Sequence, residues 1–170
     1  MELEPNIEAT YIPNTSSKDK QGMPYLSRIN IYLDCYSEEA IFRVRIYKLD
    51  ENLFPGEDMV SLPIQKTFKG KKIINIDLDD YLLVFPPDGV FIGVELIIDD
   101  INITKLKNSE GFETSLLSPF LHYQKSISQN EFYRYSGGKW NKKFELVPQN
   151  FKSSKQKYYK PSISLEIKRF

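Results

Sequence analysis

From Tyr25 to Asp34, apolar and polar residues alternate with a period of two. Ile29, Ile31 and Leu33 fall on one side, Arg28, Asn30 and Tyr32 on the other. Ile41 to Leu49 repeats the pattern, with Phe42, Val44 and Ile46 opposite Arg43, Arg45 and Tyr47. A pleated strand sends successive side chains to opposite faces, so each run reads as a half-buried strand. Residue choice agrees: the chain holds 18 Ile but only 2 Ala, with 11 Tyr and 11 Phe. β-Branched and aromatic side chains fit a pleated surface, whereas Ala favours helix.

The remaining chain fills in around these runs. Residues 1–24 are polar, with Pro5, Pro13 and Pro24, and read as an extended N-terminal arm that Tyr11 and Ile12 pin to the body. Asp50 to Asp58 is a loop; Val60 to Phe68 is a weaker strand marked by Pro63. Lys69-Gly70-Lys71 reads as a turn into Lys72–Leu78, and Asp79 to Val84 as one short helical turn. After the turn Pro86-Pro87-Asp88-Gly89, Val90 to Ile98 is almost wholly apolar, as expected of a central strand covered on both faces. Within 99–130, Ile101–Thr104 and Leu121–Tyr123 suggest strands and Asn108–Ser118 a polar loop, with no strand order assigned. Gly137-Gly138 between aromatic runs signals a hairpin. Residues 148–160 read as a basic loop, and Ser162–Phe170 as a closing strand.

Many short strands in 170 residues predict an all-β fold. The expected architecture is a single jelly-roll-like antiparallel β-sandwich over 25–170. Its core is expected from Ile29, Ile31, Leu33, Phe42, Val44, Ile46, Ile74, Ile76, Ile163, Leu165 and Ile167. A domain of this size buries roughly 70% of its unfolded surface and needs no cross-link to fold.

Net charge is zero but unevenly placed. Residues 1–124 carry 12 basic and 20 acidic side chains, residues 125–170 carry 11 and 3. The basic residues alternate with strand-like aromatics rather than forming a run, which favours mutual neutralisation over a polyanion-binding tail, and no nucleic-acid partner is expected. Cys35 is the single cysteine, so an intrachain disulfide and a cysteine zinc site are excluded. Its place after Ile29, Ile31 and Leu33 suggests a buried small hydrophobe. No run of about 18 apolar residues spans a membrane. Met1 to Asn14 is acidic and does not read as a signal peptide, so the expectation is either a cytoplasmic protein or one whose leader is missing from this chain.

No catalytic, cofactor or metal motif stands out. His122 is the only histidine, so a Ser-His-Asp or Cys35–His122 arrangement would have to use it, and no serine lies in a nucleophile elbow. Glu57-Asp58, Asp79-Asp80 and Asp99-Asp100 offer carboxylate pairs for glycoside hydrolysis or, more simply, solvated turns. Asp99, Asp100 and Asn102 offer oxygen ligands for calcium, without the spacing of a calcium loop. Phe132, Tyr133, Tyr135 and Trp140 cluster at the Gly-Gly hairpin; alternation requires at least one of their faces to be core. Tyr133, Tyr135 and Trp140 are the candidate ligand-binding residues, since exposed aromatics stack on sugar rings.

The ordered series Phe42-Arg43-Val44-Arg45-Ile46-Tyr47, Pro55-Gly56-Glu57-Asp58, Ile74 to Tyr81, Phe85-Pro86 and Gly89 to Glu95 resembles a β-sandwich region of Bacteroidetes cell-envelope proteins. That region often accompanies a carboxypeptidase-like regulatory domain. Tyr135-Ser136 through Trp140 to Ser162–Ile167 is similar as well, so the likeness covers 25–98 and 131–169. The resemblance implies a sandwich without catalytic residues, in the extracellular space or the cell envelope (periplasm or outer-membrane surface), with its leader outside this chain. The function expected is a non-catalytic binding, adhesion or structural module whose partner is a glycan or another surface protein. A carbohydrate-binding module is the alternative, and a hydrolase using loop carboxylates comes last.

Overall fold

The computed structural model describes residues 6–16, 21–126, 128, 131–143 and 158–170. Its strands are β1 (Asn6–Ile12), β2 (Pro24–Leu49), β3 (Pro55–Asp58), β4 (Gln65–Asp77), β5 (Val90–Leu96), β6 (Ile103–Lys107) and β7 (Glu113–Leu117). β8 (Phe120–Leu121), β9 (Tyr123–Ser126), β10 (Phe132–Ser136), β11 (Lys139–Lys142), β12 (Tyr158–Pro161) and β13 (Ile163–Arg169) complete them. All pairings are antiparallel, and the fold is the expected β-sandwich. The main sheet runs β11-β10-β1-β5-β2-β13, with β3, β4 and β8 also paired to β2.

The two alternating runs at 25–34 and 41–49 belong to one strand, not two. β2 is 26 residues long, and its pairing with β4 slips between Cys35 and Glu39. The slip has a purpose visible in the burial pattern. Ile29, Ile31, Leu33 and Cys35 are buried before it, Ala40, Phe42, Val44 and Ile46 after it. Odd positions therefore give way to even ones, because the bulge turns the strand's other face inward as the ladder bends. Opposite it, Gly70 takes φ +102°, and the expected Lys69-Gly70-Lys71 turn is a bend inside β4. The N-terminal half of β2 lies between β13 and the end of β4, the C-terminal half between β5 and the start of β4. The long β2–β4 pair thus belongs to both layers, and Leu26, Ile29, Leu33, Phe42, Ile46, Ile76, Ile92 and Ile163 fill the space between them.

Other expectations shift in ways with local causes. Residues 6–12 form a strand inserted between β5 and β10, rather than an arm laid on the body. Strand structure expected from Val60 begins only at Gln65, beyond Pro63. The span 99–130 contains the β6–β7 hairpin and the short β8 and β9, with β7 falling in the expected polar loop. Ile74 and Leu165 are partly buried, and Ile167 is 39% exposed because the β13–β2 register slips between Glu166 and Ile167. The 3-10 turn Asp79–Tyr81 and the tight β10–β11 turn at Gly137 and Gly138, both at positive φ, match the sequence reading. Residues 148–157 of the expected basic loop lie outside the described residues.

Candidate functional site

The aromatic hairpin residues do come together, but as a packed layer. On the outer face of the main sheet, Ala9, Tyr47, Phe91 and Tyr133 form a second apolar cluster, with Tyr11, Leu49, Phe54 and Trp140 against it. Tyr133 is 4% exposed; Phe91 and Phe54 meet its ring edge to face at 4.9 and 5.3 Å. Trp140 stands opposite Tyr135 in the β10–β11 ladder and meets it at 5.3 Å and Tyr47 at 5.4 Å. Gly93 makes room for this layer, since a Cβ there would stand 3.0 Å from Ile7 Cγ2 and 3.1 Å from Tyr47 Cε2. Tyr133 is thus committed to packing, while Tyr135 and Trp140 remain half-buried at the rim. Phe91 covers the outside of β5, as expected of a strand apolar on both faces.

Each acidic pair contributes a carboxylate to a local structural contact. Asp58 pairs with Arg45 (3.0 Å), which with Arg43 also holds Glu95. Asp79 accepts from the Ser27 hydroxyl (2.9 Å) and pairs with Lys168. Asp99 accepts from the Ile101 N–H (3.0 Å). The Asn102 amide is consumed by the fold: it donates to Ile41 O and Ile97 O and accepts from the Ile41 N–H, each at 2.7 Å. Its amide is therefore not free to ligate calcium. Among the described residues, no group of three His, Cys, Asp or Glu side chains gathers to hold a metal. Cys35 is buried, its thiol donates to Ser37 O (3.2 Å), and burial pushes its pKa up. It faces the core, whereas the His122 ring lies against Tyr32 on the opposite face of β2, so the two do not form a nucleophile–base pair.

The outer face of the N-terminal half of β2 carries a different constellation. At its centre three segments of the chain meet in a closed cycle of backbone hydrogen bonds. Tyr32 N–H donates to Ser162 O (3.1 Å), Ser162 N–H to His122 O (2.7 Å), and His122 N–H to Tyr32 O (3.0 Å). Here the β8–β9 segment wedges between β2 and the β12–β13 segment, so β8 pairs with β2 while β9 pairs with β12. A shallow groove of about 200 Å³ opens at this junction, lined by Asn30, Tyr32, Ile73, Gln124, Ser162 and Ser164 over Ile31 and Ile163. Tyr32 and Ile73 are direct cross-strand partners, 38% and 59% exposed. Tyr36, further along β2, is 53% exposed beside Phe120 (5.3 Å).

The alternation placed Tyr32 and Asn30 on the polar side of their strand, which is where they are. The groove itself needed residues from four segments and left no linear motif. No protein-family model matches the chain, and no curated protein or solved structure is significantly similar to it.

Proposed function

We propose that this chain is a non-catalytic binding module of an exported bacterial protein, and that its ligand face is the open face around Tyr32. The observation that carries this is the uncovered set Tyr32, Ile73 and Tyr36 beside a groove on the longest strand of the sheet. Apolar and aromatic side chains cost solvation when left in water, and on a rigid strand they lose little entropy when a ligand covers them. The cell-envelope setting is supported by the sequence resemblance. In the test, immobilised protein is exposed to envelope fractions and to a glycan array, alongside a Tyr32→Ala, Ile73→Ser double variant of unchanged circular dichroism. Retention by the wild type and its loss in the variant is the expected result. Equal retention by both would remove this face from the function.

A further inference from the structure

We infer that the groove at the Tyr32–His122–Ser162 junction is a subsite for one ring of an extended, neutral glycan; this rests on the binding-module reading and names its ligand class. A sugar ring presents an apolar C–H face and a rim of hydroxyls, so its site needs an apolar contact flanked by neutral hydrogen-bonding groups. The groove supplies both. Tyr32 and Ile73 lie side by side across the β2–β4 ladder. Around them stand the carboxamides of Asn30 and Gln124 and the hydroxyls of Ser162 and Ser164, and no lining side chain is charged. That neutrality argues against a phosphate, sulfate or acidic-peptide ligand, for which Arg or Lys would be the recognising groups.

The groups are held in place before any ligand arrives. The His122 imidazole meets the Tyr32 ring at 88° with centroids 4.7 Å apart. Asn30 Nδ2 donates to Glu166 Oε1 at 2.9 Å. The backbone cycle fixes Ser162 relative to Tyr32. Such support lowers the entropy lost on binding.

The dimensions favour a chain over a compact ligand. At about 200 Å³ the groove is smaller than the roughly 300–1,000 Å³ that encloses a drug-sized molecule. Tyr36 lies four residues further along β2, roughly 13 Å away at the rise of a strand, and offers a second exposed ring. Affinity should therefore grow with oligosaccharide length.

The test titrates the ¹⁵N-labelled 170-residue chain with cellohexaose, mannohexaose and xylohexaose, and with oligogalacturonate as the charged control. The expected result is saturable binding of a neutral hexamer, with amide shifts centred on 30–32, 73, 124 and 162–164. Tyr32→Ala should weaken it about tenfold, the size of one lost aromatic contact. The matching disaccharide should bind more weakly than the hexamer. Ile73→Ser, at an exposed position, gives a second readout should Tyr32→Ala disturb the fold. If no neutral hexamer binds while the double variant still loses envelope retention, the glycan inference falls and the binding face stands. If retention is also unaffected, both fall. Shifts centred on Trp140 and Tyr135, or preference for oligogalacturonate, would equally overturn the subsite.

Discussion

Tyr32 and His122 are joined twice: the His122 N–H donates to the Tyr32 carbonyl at 3.0 Å, and the two rings meet edge to face at 4.7 Å. The side-chain contact is separable from the backbone one. His122→Ala should cost about 1 kcal/mol, and His122→Phe should recover most of it, because an edge-to-face pair needs a ring rather than an imidazole. Urea denaturation of both variants checks this. Equal losses would show that the imidazole nitrogens, not the ring, stabilise the junction.

Glu8 and Arg134 stand opposite each other in the β1–β10 ladder and pair on the inner face, where Glu8 is 5% exposed. The Tyr123 hydroxyl also donates to Glu8, and burial, reinforced by that carboxylate, raises the Tyr123 pKa well above its ordinary value. Glu8→Ala leaves a guanidinium and a phenol facing an empty acceptor position. The expected loss is about 3 kcal/mol, that of breaking a largely buried pair from one side. Glu8→Gln should lose less, since an amide oxygen still accepts. Hydrogen exchange at β1 amides should rise in step with the loss; unchanged protection would mean that backbone pairing alone holds β1.

Asn102 is fully buried and ties the end of β5 to β2 through Ile97 and Ile41. Asn102→Ala abandons three backbone groups at once, for roughly 2–4 kcal/mol. Asn102→Asp is expected to be no better, because a carboxylate would face the Ile41 and Ile97 carbonyls. A thermal midpoint for Asn102→Asp at the wild-type value would refute this reading of the side chain.

Gly93 lies directly beneath the outer aromatic layer, where a Cβ would stand 3.1 Å from Tyr47 Cε2. Gly93→Ala should push the Tyr47 ring and Ile7 aside, at about 1–2 kcal/mol for overpacking. Trp140, in contact with Tyr47, should report it by a shift in emission maximum. Lost stability with unchanged emission would place the strain at Ile7.

Burial raises the Tyr47 pKa from 10.0 to about 12, opposed by Arg45 and helped by Asp58 and Glu95. The folded protein thus keeps a proton that the unfolded chain releases between these values. The stabilisation is complete below pH 10.0 and declines as pH rises toward about 12. Comparing urea midpoints near pH 9 and pH 11, the wild type should fall more steeply than Tyr47→Phe. Parallel declines would mean that Tyr47 ionises as an exposed phenol does.

The all-β class, the strands around Ile29–Leu33 and Phe42–Ile46, the Gly137-Gly138 hairpin and the two-sided burial of Val90–Val94 were all written in the alternation and the turn residues. These are local properties, because the period-two pleat and the φ of a glycine depend on neighbours in the chain. Even the phase flip between Leu33 and Phe42 stood in plain letters. Its meaning did not: a turn and a bulge reverse the inward face alike, and only the partner strand distinguishes them. The same limit hid β1, whose polar Glu8 and Thr10 point inward because Arg134, Tyr123 and Pro161 O receive them from distant segments. It also decided the aromatics. Tyr133 is covered because Phe91 arrives from β5 and Phe54 from the loop between β2 and β3, and Tyr32 stays 38% exposed because the segment that reaches it meets only its ring edge, through His122. Sequence determined which side chains share a face; tertiary structure decided which faces met, since burial depends on contacts that no local pattern encodes.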